Sequence, residues 1–85
     1  MNVKNGNSDK YKDELTETGL NIGYIRRKRG LTQEQLAEKA NISTSFLSQI
    51  EAPNFPVSIS LPTLFAIAEA LDVDAWRLLR FNMEE

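Results

Sequence analysis

The 85-residue chain predicts an all-α fold, a compact bundle of five short helices. Three observations predict it. Apolar residues recur at helical spacing through most of the chain beyond residue 17. Thr32, Ser43, Ser60 and Asp74, all residues suited to capping, each stand directly before such a stripe. Asn41 and Asp72 close two of the stripes: asparagine tolerates the left-handed conformation of a sharp turn, and Asp72 takes a place where glycine is common, at a mild strain. Eighty-five residues make one small domain with a thin core, so the packing of amphipathic helices must supply nearly all its stability.

Residues 1–15, MNVKNGNSDKYKDEL, are polar and of mixed charge, and they read as an N-terminal arm with helix starting no earlier than Asp9. Lys4, Lys10 and Lys12 are offset by Asp9, Asp13 and Glu14, which favours a solvated tail over a binding arm. The domain proper is expected over 16–81, with 82–85 as a C-terminal tail. Helix one, about 18–29, buries Leu20, Ile22 and Ile25. Its four consecutive basic residues, Arg26-Arg27-Lys28-Arg29, must fan around the helix because no face can hold them all.

Helix two, about 33–39, opens with Thr32 and Gln35 at capping-box spacing and presents Leu36, Ala37 and Ala40 as its apolar stripe. Helix three, 44–51, is capped by Ser43 and turns Phe46, Leu47 and Ile50 inward. Thr44, Ser45, Ser48 and Gln49 lie between them, all uncharged hydrogen-bonders. Residues 30–50 thus form a helix-turn-helix whose second helix keeps one face for the core and one for something polar. Pro53 disfavours helix at Ala52, so helix three stops at about Glu51. In the loop 52–59, Phe55, Val57 and Ile59 give an apolar, extended segment that packs on its own core or meets a partner. Ser60 caps helix four, Pro62 sits in its first turn, and Leu61, Leu64, Phe65, Ile67, Ala68 and Leu71 make it the central pillar. Asp74 caps a last short helix carrying Ala75, Trp76, Leu78, Leu79 and Phe81, more apolar surface than so small a core needs.

The chain has no cysteine and no histidine, which removes disulfides, thiolate metal sites and the commonest metal ligand and general base. It also lacks a glycine-rich phosphate loop and paired carboxylates in an apolar setting. No catalytic residue, metal site, cofactor or small-molecule ligand is expected, and neither is membrane contact. A cytoplasmic protein is the default.

Four stretches stand in a recognisable order and spacing: Ile22-Gly23-Tyr24-Ile25-Arg26, Gly30-Leu31-Thr32-Gln33 running on to Leu36-Ala37, Ser48-Gln49-Ile50-Glu51, and Leu64-Phe65-Ala66-Ile67-Ala68-Glu69-Ala70-Leu71. Through them the chain resembles the Cro and phage-repressor family of helix-turn-helix proteins, the XRE-like regulators, over about residues 17–80. The resemblance implies a lambda-repressor-like DNA-binding domain and a sequence-specific regulator of transcription, a repressor in the first instance, whose partner is double-stranded DNA. By position, Thr44, Ser45 and Gln49 fall at the family's base-contacting places. Gln49 is the most informative, since its amide matches both edge groups of adenine. Thr32, Gln33, Ser43, Ser48 and Arg27 fall to the phosphate backbone, with an ordinary solvated surface as the alternative for Gln33 and for Arg27, Lys28 and Arg29. Arg26 and Glu51 match the family's structural ion pair. Trp76, Leu79 and Phe81 match the region through which members commonly form homodimers, with plain core packing of Trp76 as the alternative. In some relatives an arm like residues 1–15 wraps the duplex.

The loop departs from the family pattern. Pro53 stands where glycine is frequent, and no basic residue occurs between Lys39 and Arg77, so the usual phosphate grip from this loop is missing. The net charge of −2 also counts against a nucleic-acid partner, but it is polarised: residues 1–42 carry eight basic and six acidic side chains, residues 43–85 two and six. A protein-binding adaptor that keeps the fold without DNA is therefore the second reading. The acidic balance favours it; Gln33, Gln49 and the uncharged face of helix three oppose it.

Overall fold

The computed structural model describes residues 10–54 and 56–81. Within them lie five helices: α1 (Lys12–Lys28), α2 (Gln33–Ala40), α3 (Thr44–Glu51), α4 (Leu61–Leu71) and α5 (Ala75–Leu78). No strand occurs among the described residues, and the fold is all-α. Most of the arm, Phe55 and the tail 82–85 lie outside them.

Helix α1 starts six residues before the position expected from its apolar pattern. Asp13 and Glu14 in its first turn suit the positive end of the helix dipole, and the Thr18 hydroxyl donates to the Glu14 carbonyl at 2.8 Å within the helix. The boundary drawn between residues 15 and 16 thus falls inside a continuous helix. Its inward stripe is Thr18, Gly19, Ile22, Gly23 and Ile25. Leu20 was expected on that stripe but is exposed. Two residues along a helix turn by roughly 200°, so Leu20 must face away from Ile22.

Every helix gives at least one wholly buried side chain to a single core: Ile22, Leu36, Leu47, Ile67, Leu71 and Leu78. Helix α2 packs on α4 and α1 on α3, so the helix-turn-helix lies between the first helix and the pillar. Val57 and Ile59 pack half-buried against this core, which is where the loop's described apolar side chains go. On α4 the buried residues are Leu64, Ile67, Ala68 and Leu71. Leu61 and Phe65, expected inward, are 61% and 55% exposed. They lie on a four-residue stride that runs beside the buried stripe rather than within it.

Three helix ends share one device. Gly30 (φ 73°), Asn41 (φ 60°) and Asp72 (φ 60°) adopt the left-handed conformation after α1, α2 and α4. The next N–H then bonds five residues back: Leu31 to Arg26 at 3.1 Å, Ile42 to Ala37 at 3.0 Å and Val73 to Ala68 at 3.0 Å. Thr32, Ser43 and Ser60 cap α2, α3 and α4 with their hydroxyls. Asp74 stands at the N-cap of α5 but its carboxylate makes no capping bond. It is exposed, where water serves the free donors as well.

Gly19 sets the distance between α1 and α3. A Cβ built there would fall inside the Ile50 carbonyl group, so only glycine lets the two backbones meet. Gly19→Ala is therefore expected to destabilise the fold by about 2 kcal/mol, the overpacking cost outweighing the better helix propensity of alanine. Urea titration would check this. Asp72→Gly should act in the opposite direction and raise stability by about 0.5–1 kcal/mol in the same titration, by relieving a left-handed non-glycine residue.

Candidate nucleic-acid interface

The free face of α3 is built by its helical register. Leu47 and Ile50 are buried and Phe46 half-buried against the core, which turns Thr44, Ser45, Ser48 and Gln49 outward, all exposed. The helix has no acidic residue in its first turn and no basic residue in its last. Its surface is an array of hydroxyls and one carboxamide, able to donate and accept but carrying no charge. The Ser43 hydroxyl accepts from the Phe46 N–H at 2.9 Å, which satisfies one of the free donors at the helix start.

Helix α2 approaches the same surface with its N-terminus. Thr32 Oγ1 accepts from the Gln35 N–H at 3.0 Å, and Gln35 Oε1 accepts from the Thr32 N–H at 2.8 Å, a complete capping box. Gln33 is half-buried and its Nε2 donates to Glu51 Oε1 at 3.0 Å. The first residue of α2 is thereby tied to the last residue of α3.

Glu51 is the junction. Arg26 Nε donates to its Oε2 at 2.8 Å and Arg26 Nη2 to its Oε1 at 3.0 Å, a two-pronged pair between α1 and α3. The side chains are only 11% and 7% exposed. Arg26 Nη1 also donates to the Leu31 carbonyl at 2.8 Å, so the turn between α1 and α2 joins the same network. No buried side-chain polar atom among the described residues is left without a partner.

The basic run separates into four roles. Arg26 pairs with Glu51. Arg27 is exposed on the side of α1 next to that pair. The Lys28 ammonium lies 5.7 Å from the centre of the Tyr24 ring. Arg29 stays exposed but lies along the end of α4: its Nε donates to the Leu71 carbonyl at 2.8 Å and its Nη2 to the Asp72 carbonyl at 3.2 Å, closing the C-terminal end of that helix. Asn21 does the same for α5, with Nδ2 donating to the carbonyls of Leu78 and Arg80 at 3.0 and 3.1 Å. The sequence offers Arg29 only as a phosphate or solvent-facing residue and does not mark Asn21 at all. Their partners are more than 40 positions away and carry no side-chain signal, so only the packing could reveal them.

On α5 and just after it, Trp76 and Leu79 are 58% and 46% exposed, while Phe81 is half-buried and lines one cleft with Tyr24. Among the described residues no helix is long and apolar enough to cross a membrane.

A family model described as helix-turn-helix matches residues 22–75. The immunity repressor protein of Bacillus phage phi105 is 51% identical over 55 residues, covering 65% of this chain and 37% of the repressor. The chain therefore spans little more than a third of that relative's length. The restriction-modification controller protein C.AhdI from Aeromonas hydrophila superposes with a TM-score of 0.72 at 27% identity, over 78% of this chain and 97% of the controller. The N-terminal DNA-binding domain of the biofilm regulator SinR from Bacillus subtilis gives a TM-score of 0.63 at 35% identity, over 78% and 94% of the two chains.

Arg26→Ala and Glu51→Ala should each cost about 3 kcal/mol, because each leaves a mostly buried charge without its partner. The double variant should cost less than the two together by at least about 1 kcal/mol. Thermal or denaturant unfolding of all three variants would measure it.

Proposed function

The chain belongs to the helix-turn-helix family, and from that premise we propose that it is a sequence-specific regulator of transcription that binds double-stranded DNA, acting as a repressor. The observation that carries this reading is the exposed, uncharged, hydrogen-bonding face of α3 on a helix braced from two sides. A solvated helix face ordinarily carries lysine and glutamate; a face that reads base edges carries groups such as these. Inserted in the major groove by its N-terminal end, α3 presents Thr44, Ser45 and Gln49 to the bases. Gln49 pairs with adenine through its amide, and Thr44 offers a methyl to thymine.

Phosphates are held by groups around this edge: the free N–H groups at the start of α2 with Thr32 and Gln33, the hydroxyls of Ser43 and Ser48, and Arg27. Gln33 donates to Glu51 with one N–H of its amide. The other N–H serves a phosphate oxygen. Such contacts set register and carry no sequence information of their own. The domain works as a binding module without catalysis or cofactor, in the cytoplasm where its DNA is reached. The exposure of Trp76 and Leu79 supports a homodimer with Phe81 at its margin, which suits a two-fold operator. The loop without lysine or arginine favours the adaptor reading, and the same experiment separates the two.

Binding to the DNA upstream of the coding sequence, against scrambled DNA of equal length across a salt series, tests the proposal. Preference for the native fragment is expected. Gln49→Ala should remove about 1–3 kcal/mol of that preference and leave scrambled binding unchanged. Arg27→Ala should weaken both fragments alike and reduce the salt slope by about 1. No preference at any salt would transfer the reading to the protein-binding adaptor. In sedimentation, Trp76→Ala combined with Leu79→Ala should raise the dimer dissociation constant at least tenfold, about 1.4 kcal/mol.

A further inference from the structure

Gly19 and Gly23 stand one turn apart on the buried stripe of α1, and each faces the end of α3. Gly19 admits the Ile50 backbone. Gly23 admits the Glu51 carboxylate: a Cβ there would lie 3.1 Å from Glu51 Oε1 and 3.3 Å from both Glu51 Cδ and Arg27 Nη1. These distances are short of ordinary contact, so the carboxylate would have to yield by a few tenths of an ångström. It cannot yield alone. Oε1 is the oxygen that accepts from both Arg26 Nη2 and Gln33 Nε2, each at 3.0 Å.

We propose that Gly23 is a positioning residue for DNA recognition: the space it leaves fixes where the Glu51 carboxylate rests, and through that carboxylate the relative placement of the α2 N-terminus and α3. The inference rests on the reading of α3 as the base-reading helix. It assigns a role in affinity to a buried residue with no side chain and no contact with DNA. A push at Gly23 arrives at Gln33 through one shared oxygen, and at α3 through the Glu51 backbone. Base readout depends on the angle at which α3 enters the groove, and phosphate contact on where α2 begins. A change in their mutual placement therefore spoils the fit of both to one duplex without dissolving either helix.

Gly23→Ala separates this role from a merely structural one, because alanine is the better helix former. Three measurements on the full chain are needed: thermal unfolding, the NMR resonances of the Gln33 side-chain amide and the Arg26 Nε–H, and binding to the native and scrambled fragments. The expected result is a melting temperature no lower than that of the unaltered protein and displaced Gln33 and Arg26 resonances. Affinity for the native fragment should fall roughly tenfold, and scrambled binding, which rests on the phosphate contacts alone, by less. Unmoved resonances would overturn the proposal. So would native affinity that stays the same, or that falls only in step with the melting temperature, up to failure to fold. If the unaltered protein prefers no DNA, it is the regulator reading that fails. The resonances then decide whether Gly23 seats the carboxylate, and the claim on DNA affinity falls with the reading it rests on.

Discussion

The Glu51 carboxylate is the point on which the placement of three helices depends. It accepts two hydrogen bonds from Arg26 of α1 and one from Gln33 of α2, and it belongs to the last residue of α3. Helices of eight residues, as α2 and α3 are, have little stability of their own and take their orientation from what they pack against. Apolar packing through Leu36, Leu47 and Ile50 holds them to the core, yet packing alone is tolerant of small rotations. A bidentate guanidinium–carboxylate pair is not, because both of its bonds lie in one plane. The pair is mostly buried, so its net contribution to stability is modest while the loss of one member is costly. Its value to the fold is geometric.

The same economy governs the helix ends. Three of them close with a left-handed residue and a bond reaching five positions back, and only one of these residues is glycine. Asn41 suits its place, since asparagine visits that conformation with little penalty and the turn of the helix-turn-helix needs it. Asp72 suits it less well, but the carbonyls at the end of α4 are gathered by Arg29 from α1. One of four consecutive basic residues thus stabilises a helix far along the chain, and fewer guanidinium donors are left for phosphate than the sequence count suggests.

That redistribution bears on how such a domain engages DNA. With an acidic balance overall and no basic side chain between Lys39 and Arg77, long-range attraction to a duplex is weak. Under the proposed function, binding leans on directed contacts: helix N-termini, hydroxyls and the carboxamide of Gln49. Contacts of that kind lose strength quickly when misplaced, so the proposed readout depends on a precise junction behind α3. The dimer proposed through Trp76 and Leu79 acts in the same direction, because two half-sites bound together multiply a modest individual affinity.

The sequence by itself determined the local features. The capping residues Thr32, Ser43 and Ser60, the left-handed turn at Asn41, the stop before Pro53 and the span of α3 from Thr44 to Glu51 are set by interactions within a few positions of chain. The uncharged face of α3 was legible for the same reason, since periodicity assigns Leu47 and Ile50 inward and leaves Thr44, Ser45 and Gln49 out. The pairing of Arg26 with Glu51 was legible only through the resemblance to a family, because nothing local links residues 25 positions apart. Tertiary structure alone decided the rest. Leu20, Leu61 and Phe65 are as apolar as their buried neighbours, and only the direction from which other helices pack determines that they stay exposed. Arg29 and Asn21 bond to backbone carbonyls, which every residue possesses, so no sequence pattern marks their partners. Gly19 and Gly23 matter for space they leave empty, and an absent side chain shows its meaning only when the neighbour that fills the space is in place.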